Sequence, residues 1–141
     1  MYPGSYFCYV VSGFFKTFCA PALRNIVRHV AAPVILHICG DTTHLTEAMC
    51  DTGVQGLSLD SLVSMPDVAP RIPDDIAIIG NLDPTREILR GTPADVQAKT
   101  VEMLDSMCAY DNFIPSTGCD LPASTPLDNI SAFVETVHKK G

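Results

Sequence analysis

The sequence predicts an α/β fold of four parallel strands, each followed by a helix, with one further helix leading. Three observations predict it. Short, almost unbroken apolar runs recur at 33–39, 54–60, 76–84 and 112–120, a pattern that fits strands covered on both faces better than strands with one wet face. Between them lie stretches with apolar residues at helical spacing, several opened by a capping residue followed by Pro. Each run also gathers its polar residues at its C-terminal end: His37 and Cys39, then Asp60, then Asn81 and Asp83, then Ser116 and Cys119. Parallel strands joined by right-handed crossovers bring those ends to one rim, the edge on which sites are built in such folds.

Taken in order, residues 1–10 are apolar and aromatic without a period and receive no assignment. Residues 14–30 place Phe15, Phe18, Cys19, Leu23, Ile26, Val27 and Val30 at helical spacing, with Pro21 marking a kink or a new start. The run PVILHIC follows. Residues i and i+2 share a strand face, so His37 and Cys39 point one way while Leu36 and Ile38 point the other. Gly40 to Thr43 form a loop leading into a short helix with Leu45, Ala48 and Met49 on one face, closed by Gly53. After the second strand, 61–75 is broken by Pro and has room for one short helix. The third strand ends at Asp83-Pro84. Thr92-Pro-Ala-Asp95 has capping-box spacing and opens a helix to about Cys108. Thr125-Pro-Leu-Asp128 has the same spacing and opens the last helix, with Leu127, Ile130, Phe133, Val134 and Val137 on its apolar side.

Composition bounds the function. The chain has 141 residues, 47% hydrophobic and 18% charged, enough for one packed domain and too apolar for a disordered chain. A net charge of -7 without a basic cluster argues against a nucleic-acid partner. The N-terminal apolar stretch lacks a basic leader and is broken by Pro3, Gly4, Ser12 and Gly13. It therefore reads as neither a secretory signal nor a membrane span, and the expected location is cytoplasmic. Six cysteines in that setting are reduced thiols. Cys8, Cys19, Cys50 and Cys108 read as small buried apolar residues.

His37 and Cys39 offer two metal ligands on one strand face. Cys119, eighty positions on, follows Gly118 at the exit of the fourth strand, where a curved sheet could bring it above the same axis. One imidazole and two thiolates with an open fourth position form a catalytic rather than structural zinc arrangement. Asp60 and Asp120 are carboxylates near enough in topology to fill or flank that position. The alternatives are a hydrogen-bonded histidine beside a buried cysteine, Asp60 and Asp83 as helix caps, and Asn81 as a turn residue after Gly80. His44, in the first turn of its helix, reads as solvated or capping. The pattern alone admits an open four-stranded sheet or half of a (β/α)8 barrel.

Read together, PVILHICGDTT, GLSLD, IAIIGNLDP and FIPSTGCDLPASTPLDNISAFVETVHK resemble the uroporphyrinogen decarboxylase superfamily. More narrowly, they resemble its methylcobamide:coenzyme M methyltransferase branch, over nearly all of the chain from about Val11. Gly118-Cys119-Asp120 stands where the decarboxylases carry Gly-His-Gly. The resemblance implies a TIM barrel of which this chain supplies the C-terminal half, so that 1–141 is a single partial domain, a truncated or split form. It implies zinc held by His37, Cys39 and Cys119, a thiol substrate such as coenzyme M, and a methylcobamide (corrinoid) donor carried by a partner protein. Asp60 corresponds to an acidic position of that branch and is a candidate catalytic residue; Asn81 is a candidate cofactor-binding residue. The alternatives are a metal-free decarboxylase-like protein or a non-catalytic assembly module. A half-barrel leaves two apolar edges unpaired, so the expected partners include a second copy or a complementary N-terminal half.

Overall fold

The computed structural model describes residues 12–140. One sheet holds four parallel strands in the order β1-β2-β3-β4: β1 Ile35–Ile38, β2 Gly56–Leu59, β3 Ala77–Leu82 and β4 Phe113–Thr117. Helices α1 (Ala20–His29), α2 (Thr46–Cys50), α3 (Met65–Val68), α4 (Pro93–Ser106) and α5 (Leu127–Lys140) lead or follow the strands. This is the repeating strand–helix order of a partial (β/α)8 barrel, four strands of the eight that a closed barrel needs. No helix of the described residues is long and apolar enough to cross a membrane.

Register follows from the alternation of side chains. Leu36, Leu57, Ile78 and Phe113 are cross-strand partners and face the helices. There Leu57 and Ile78 are completely buried, with Met49, Val54, Val68 and Met107 in the same core. Ile35, Gly56 and Ala77 lie on the opposite face, as do His37, Ser58, Ile79 and Ile114. A smaller core of Leu82, Ile88 and Val96 seats α4 and α5 at the β4 end. Buried Asn129 ties α5 down by donating to the carbonyls of Ile88 and Gly91.

Local chemistry explains most boundaries. Thr92 accepts from the Asp95 amide and Asp95 reaches back to the Thr92 amide, so the expected capping box opens α4. Asp83 accepts from the amides of Thr85 and Arg86 and caps the π-helical segment Pro84–Leu89. The second box is not made. Thr125 Oγ1 is buried without a hydrogen-bond partner, and the Asn129 and Ile130 amides instead donate to the Pro126 carbonyl. Pro21 marks a new start, as expected: it lies in the first turn of α1, directly after the π-helical segment Phe15–Cys19, where its missing N–H costs no helical bond. The Pro-broken stretch after β2 forms α3 and a 3-10 turn, Ala69–Arg71.

Cysteine burial differs from expectation. Cys19 and Cys108 are exposed and Cys50 is half-buried, because Cys108 falls in the turn that ends α4 and Cys19 on the solvent side of its helix. Cys8, like the unassigned residues 1–10, lies outside the described residues.

Candidate metal centre

At the C-terminal edge of the sheet, β1 and the exit of β4 bring His37, Cys39 and Cys119 together. One ligand atom from each lies within 4.8 Å of the others. Cys39 Sγ is 3.3 Å from His37 Nε2 and 3.6 Å from Cys119 Sγ. His37 and Cys39 are exposed and Cys119 is half-buried, on the sheet face away from the helices. A tetrahedral zinc ion with bonds of about 2.3 Å to sulfur and about 2.0 Å to nitrogen sets its sulfurs roughly 3.8 Å apart and sulfur and nitrogen roughly 3.6 Å apart. The two distances that Cys39 makes, 3.3 Å to His37 and 3.6 Å to Cys119, lie close to these. A donor set of two thiols and one imidazole suits zinc.

Each ligand is aimed by its neighbours. His37 Nδ1 lies 2.9 Å from the Ser58 carbonyl oxygen and 3.1 Å from its hydroxyl. A carbonyl can only accept, so Nδ1 carries the ring proton and Nε2 presents its lone pair to the thiols. Ser58 is the register partner of His37 on β2; it went unnoticed in the sequence, where its only signal was one polar residue inside the apolar run GLSLD. Cys119 is placed by extension of the β3–β4 pairing. The Gly118 amide donates to the Leu82 carbonyl at 2.8 Å, and Thr117 Oγ1 donates to the Cys119 carbonyl at 2.8 Å.

The neighbouring groups hold the Cys39 thiol protonated. Cys39 is pushed above its ordinary value first by its hydrogen bond with Cys119 and by that thiol's charge, then by desolvation and by the charges of Asp60 and Asp120. A cation seated among these groups reverses the balance, because its charge favours the thiolate form.

The other sequence candidates take different places. Asp60 is outside the ligand cluster: Oδ2 accepts from the Gly40 amide and Oδ1 from the Leu62 amide, both at 2.9 Å. Asn81 donates its side-chain amide to the carbonyls of Asp60, at 2.9 Å, and Val63, at 2.7 Å. It also lines a cavity of about 370 Å³ shared with Ser61, Asp83, Arg86 and Met103. His44 is half-buried, with Nε2 lacking a hydrogen-bond partner, rather than solvated.

A parallel β/α rim that presents one imidazole and two thiols defines the class: a barrel-type α/β protein with a soft-metal ligand set. The chain belongs to the uroporphyrinogen decarboxylase (URO-D) family, whose model matches residues 10–140. It is 33% identical over 125 residues to the methylcobamide:CoM methyltransferase MtbA of Methanosarcina mazei, covering 86% of this chain and 35% of that protein. It is 32% identical over 120 residues to the methylated-thiol–coenzyme M methyltransferase of the same organism, covering 85% and 31%. To the uroporphyrinogen decarboxylase of Prochlorococcus marinus it is 33% identical over 127 residues, covering 86% and 35%. A solved methyltransferase from Methanosarcina mazei superposes with a TM-score of 0.80 at 26% identity, covering 92% of this chain and 37% of that one. The chain thus spans about a third of the length of these relatives.

Proposed function

We propose that this chain carries the zinc centre of a methyltransferase that moves a methyl group from a methylated corrinoid protein to a thiol such as coenzyme M. The observation that carries the proposal is the meeting of Cys119 with His37 and Cys39, at zinc-like spacing, in a chain whose relatives include proteins named for that transfer. Zinc held there supplies a Lewis acid that lowers the pKa of a bound thiol into the neutral range.

The residues do the rest. His37, Cys39 and Cys119 hold the ion, and Ser58 keeps the imidazole in the tautomer that presents Nε2. To hold such an ion the two thiols would lose their protons. Asp60, held by the Gly40 and Leu62 amides and outside the ligand cluster, would leave the fourth position to a substrate thiol. Exposed Leu62 and Leu127, on rim segments, offer apolar surface for a corrinoid protein to seat its methyl group over the site.

The proposal treats residues 1–141 as one partial domain and a cytoplasmic enzyme component. The remaining barrel wall comes from further polypeptide, whether a longer chain, a complementary half or a second copy. The test is proton release. Zinc-loaded protein takes up coenzyme M with about one proton released per chain, measured by calorimetry in buffers of different ionisation enthalpy. A thiol-free sulfonate analogue releases none. Failure to retain zinc, or equal release with both compounds, overturns the reading.

A second reading, a metal-free decarboxylase-like protein, is favoured by the 33% identity to uroporphyrinogen decarboxylase. It predicts that a chelator leaves ligand binding unchanged. A third, a non-catalytic assembly module, draws on β1 and β4, the edge strands of the sheet among the described residues. It predicts partner binding that survives loss of Cys39 and Cys119.

A further inference from the structure

The C-terminal ends of the other three strands converge on the turn after β2. The Val63 amide donates to the Asp60 carbonyl at 3.0 Å and closes the turn after β2. Asn81, at the end of β3, holds that turn from below through its two bonds to Asp60 and Val63. From the turn, the Asp60 carboxylate reaches across to the Gly40 amide, the residue directly after Cys39. Gly40 has φ +93°, a conformation glycine adopts freely and other residues do not. On the opposite side, Ser61 packs against Gly118, directly before Cys119. A Cβ on Gly118 would collide with the Ser61 nitrogen, so glycine is what allows this approach. Both cysteines are therefore one residue away from a contact with the same two-residue unit, Asp60-Ser61.

We infer that the Asp60–Val63 turn sets the distance between Cys39 and Cys119, with Asp60 a positioning residue for the metal site rather than one of its ligands. The inference rests on the proposed zinc site for its functional meaning, but the geometry it describes exists without metal. A carboxylate suits this role because it can accept from two amides at once, Gly40 on one oxygen and Leu62 on the other. Asparagine in its place turns one acceptor into a donor facing an amide N–H, so one of the two bonds is lost.

The test compares Asp60→Asn and Gly118→Ala with the unsubstituted full chain in two measurements. The first uses metal-free protein treated with diamide, which takes up both thiol hydrogens as a disulfide forms. The rate of the Cys39–Cys119 link is followed by peptide mapping, with thermal unfolding as the check on folding. Both variants are expected to slow that link about 10-fold through lost proximity, while unfolding cooperatively. The second is zinc affinity by competition with a chromophoric chelator, expected to fall about 10- to 100-fold as for other lost outer-shell partners. Unchanged linking in both variants overturns the inference and leaves the zinc reading standing. A wild-type chain that binds no zinc overturns the zinc reading, and the linking rate still judges the turn. If Asp60→Asn fails to fold, Gly118→Ala decides by the same rate, since it leaves the carboxylate in place.

Discussion

The two faces of the sheet are made by the same four strands and differ in what covers them. Toward the helices, Leu57 and Ile78 are 0% exposed and the surface is continuous apolar packing. On the other face Ile35 is 57% and Ile114 49% exposed, His37 shares their side of β1 and Ser58 their side of β2, and the rim carries the cysteine pair. A strand alternates its side chains, so one chain segment serves stability with every second residue and chemistry with the others. The difference teaches where substitutions should be felt: the helix-side positions as loss of fold, the open-face rim positions as loss of metal with the fold intact.

The largest effect tests the rim. Structural zinc sites bind with about 10–16 kcal/mol over four ligands, about 2.5–4 kcal/mol each, so Cys119→Ser is expected to weaken zinc binding by roughly 100-fold or more. Chelator competition measures it. Thermal unfolding of the metal-free variant should match that of the unsubstituted chain; a large drop in melting temperature would erase the contrast between the faces. The helix side comes next. Leu57→Ala is expected to lower stability by about 2–5 kcal/mol in urea unfolding, whereas Ile35→Ala, one strand over and on the open face, should stay within about 0.5 kcal/mol. Equal losses would mean that the open face is covered in solution.

A cap away from both faces gives a smaller change. Thr92→Ala removes the side chain that accepts from the Asp95 amide and should cost about 1 kcal/mol by the same urea titration. The smallest effect is electrostatic. Burial, with the charge of Asp51 adding to it, pushes the Cys50 thiol up to about 11 from 9.0. The folded chain therefore keeps a proton that the unfolded chain releases first. This contribution is complete below pH 9 and is lost as pH rises through about 11. Cys50→Ala should flatten that alkaline decline in a melting-temperature profile, while any packing loss shows as an offset that does not vary with pH below pH 8.

Much of the scaffold was legible because apolar runs, Pro positions and capping residues act locally. All four strands lie within their predicted runs, and Thr92 and Asp83 cap as their neighbours required. Thr125 failed as a cap because its surroundings bury it and the Pro126 carbonyl takes the first helical amides, a matter of tertiary placement rather than spacing. His37 and Cys39 were readable as a pair because they sit two apart on one strand. Their meeting with Cys119 depends on how far the sheet curves, which spacing alone does not state; the resemblance supplied it. Ser58 and the Asp60–Val63 turn were hidden for the same reason. A backbone carbonyl accepting from His37, and a glycine allowing Ser61 to approach, leave almost no mark in the residue order.

The most direct measurement of the central claim is X-ray absorption at the zinc edge of the metal-loaded chain. The account predicts about two sulfur neighbours at about 2.3 Å and one imidazole nitrogen at about 2.0–2.1 Å, with one further light atom, and a rise to three sulfurs on addition of coenzyme M. A shell of nitrogen and oxygen alone, or one that keeps two sulfurs after Cys39→Ser, would contradict it.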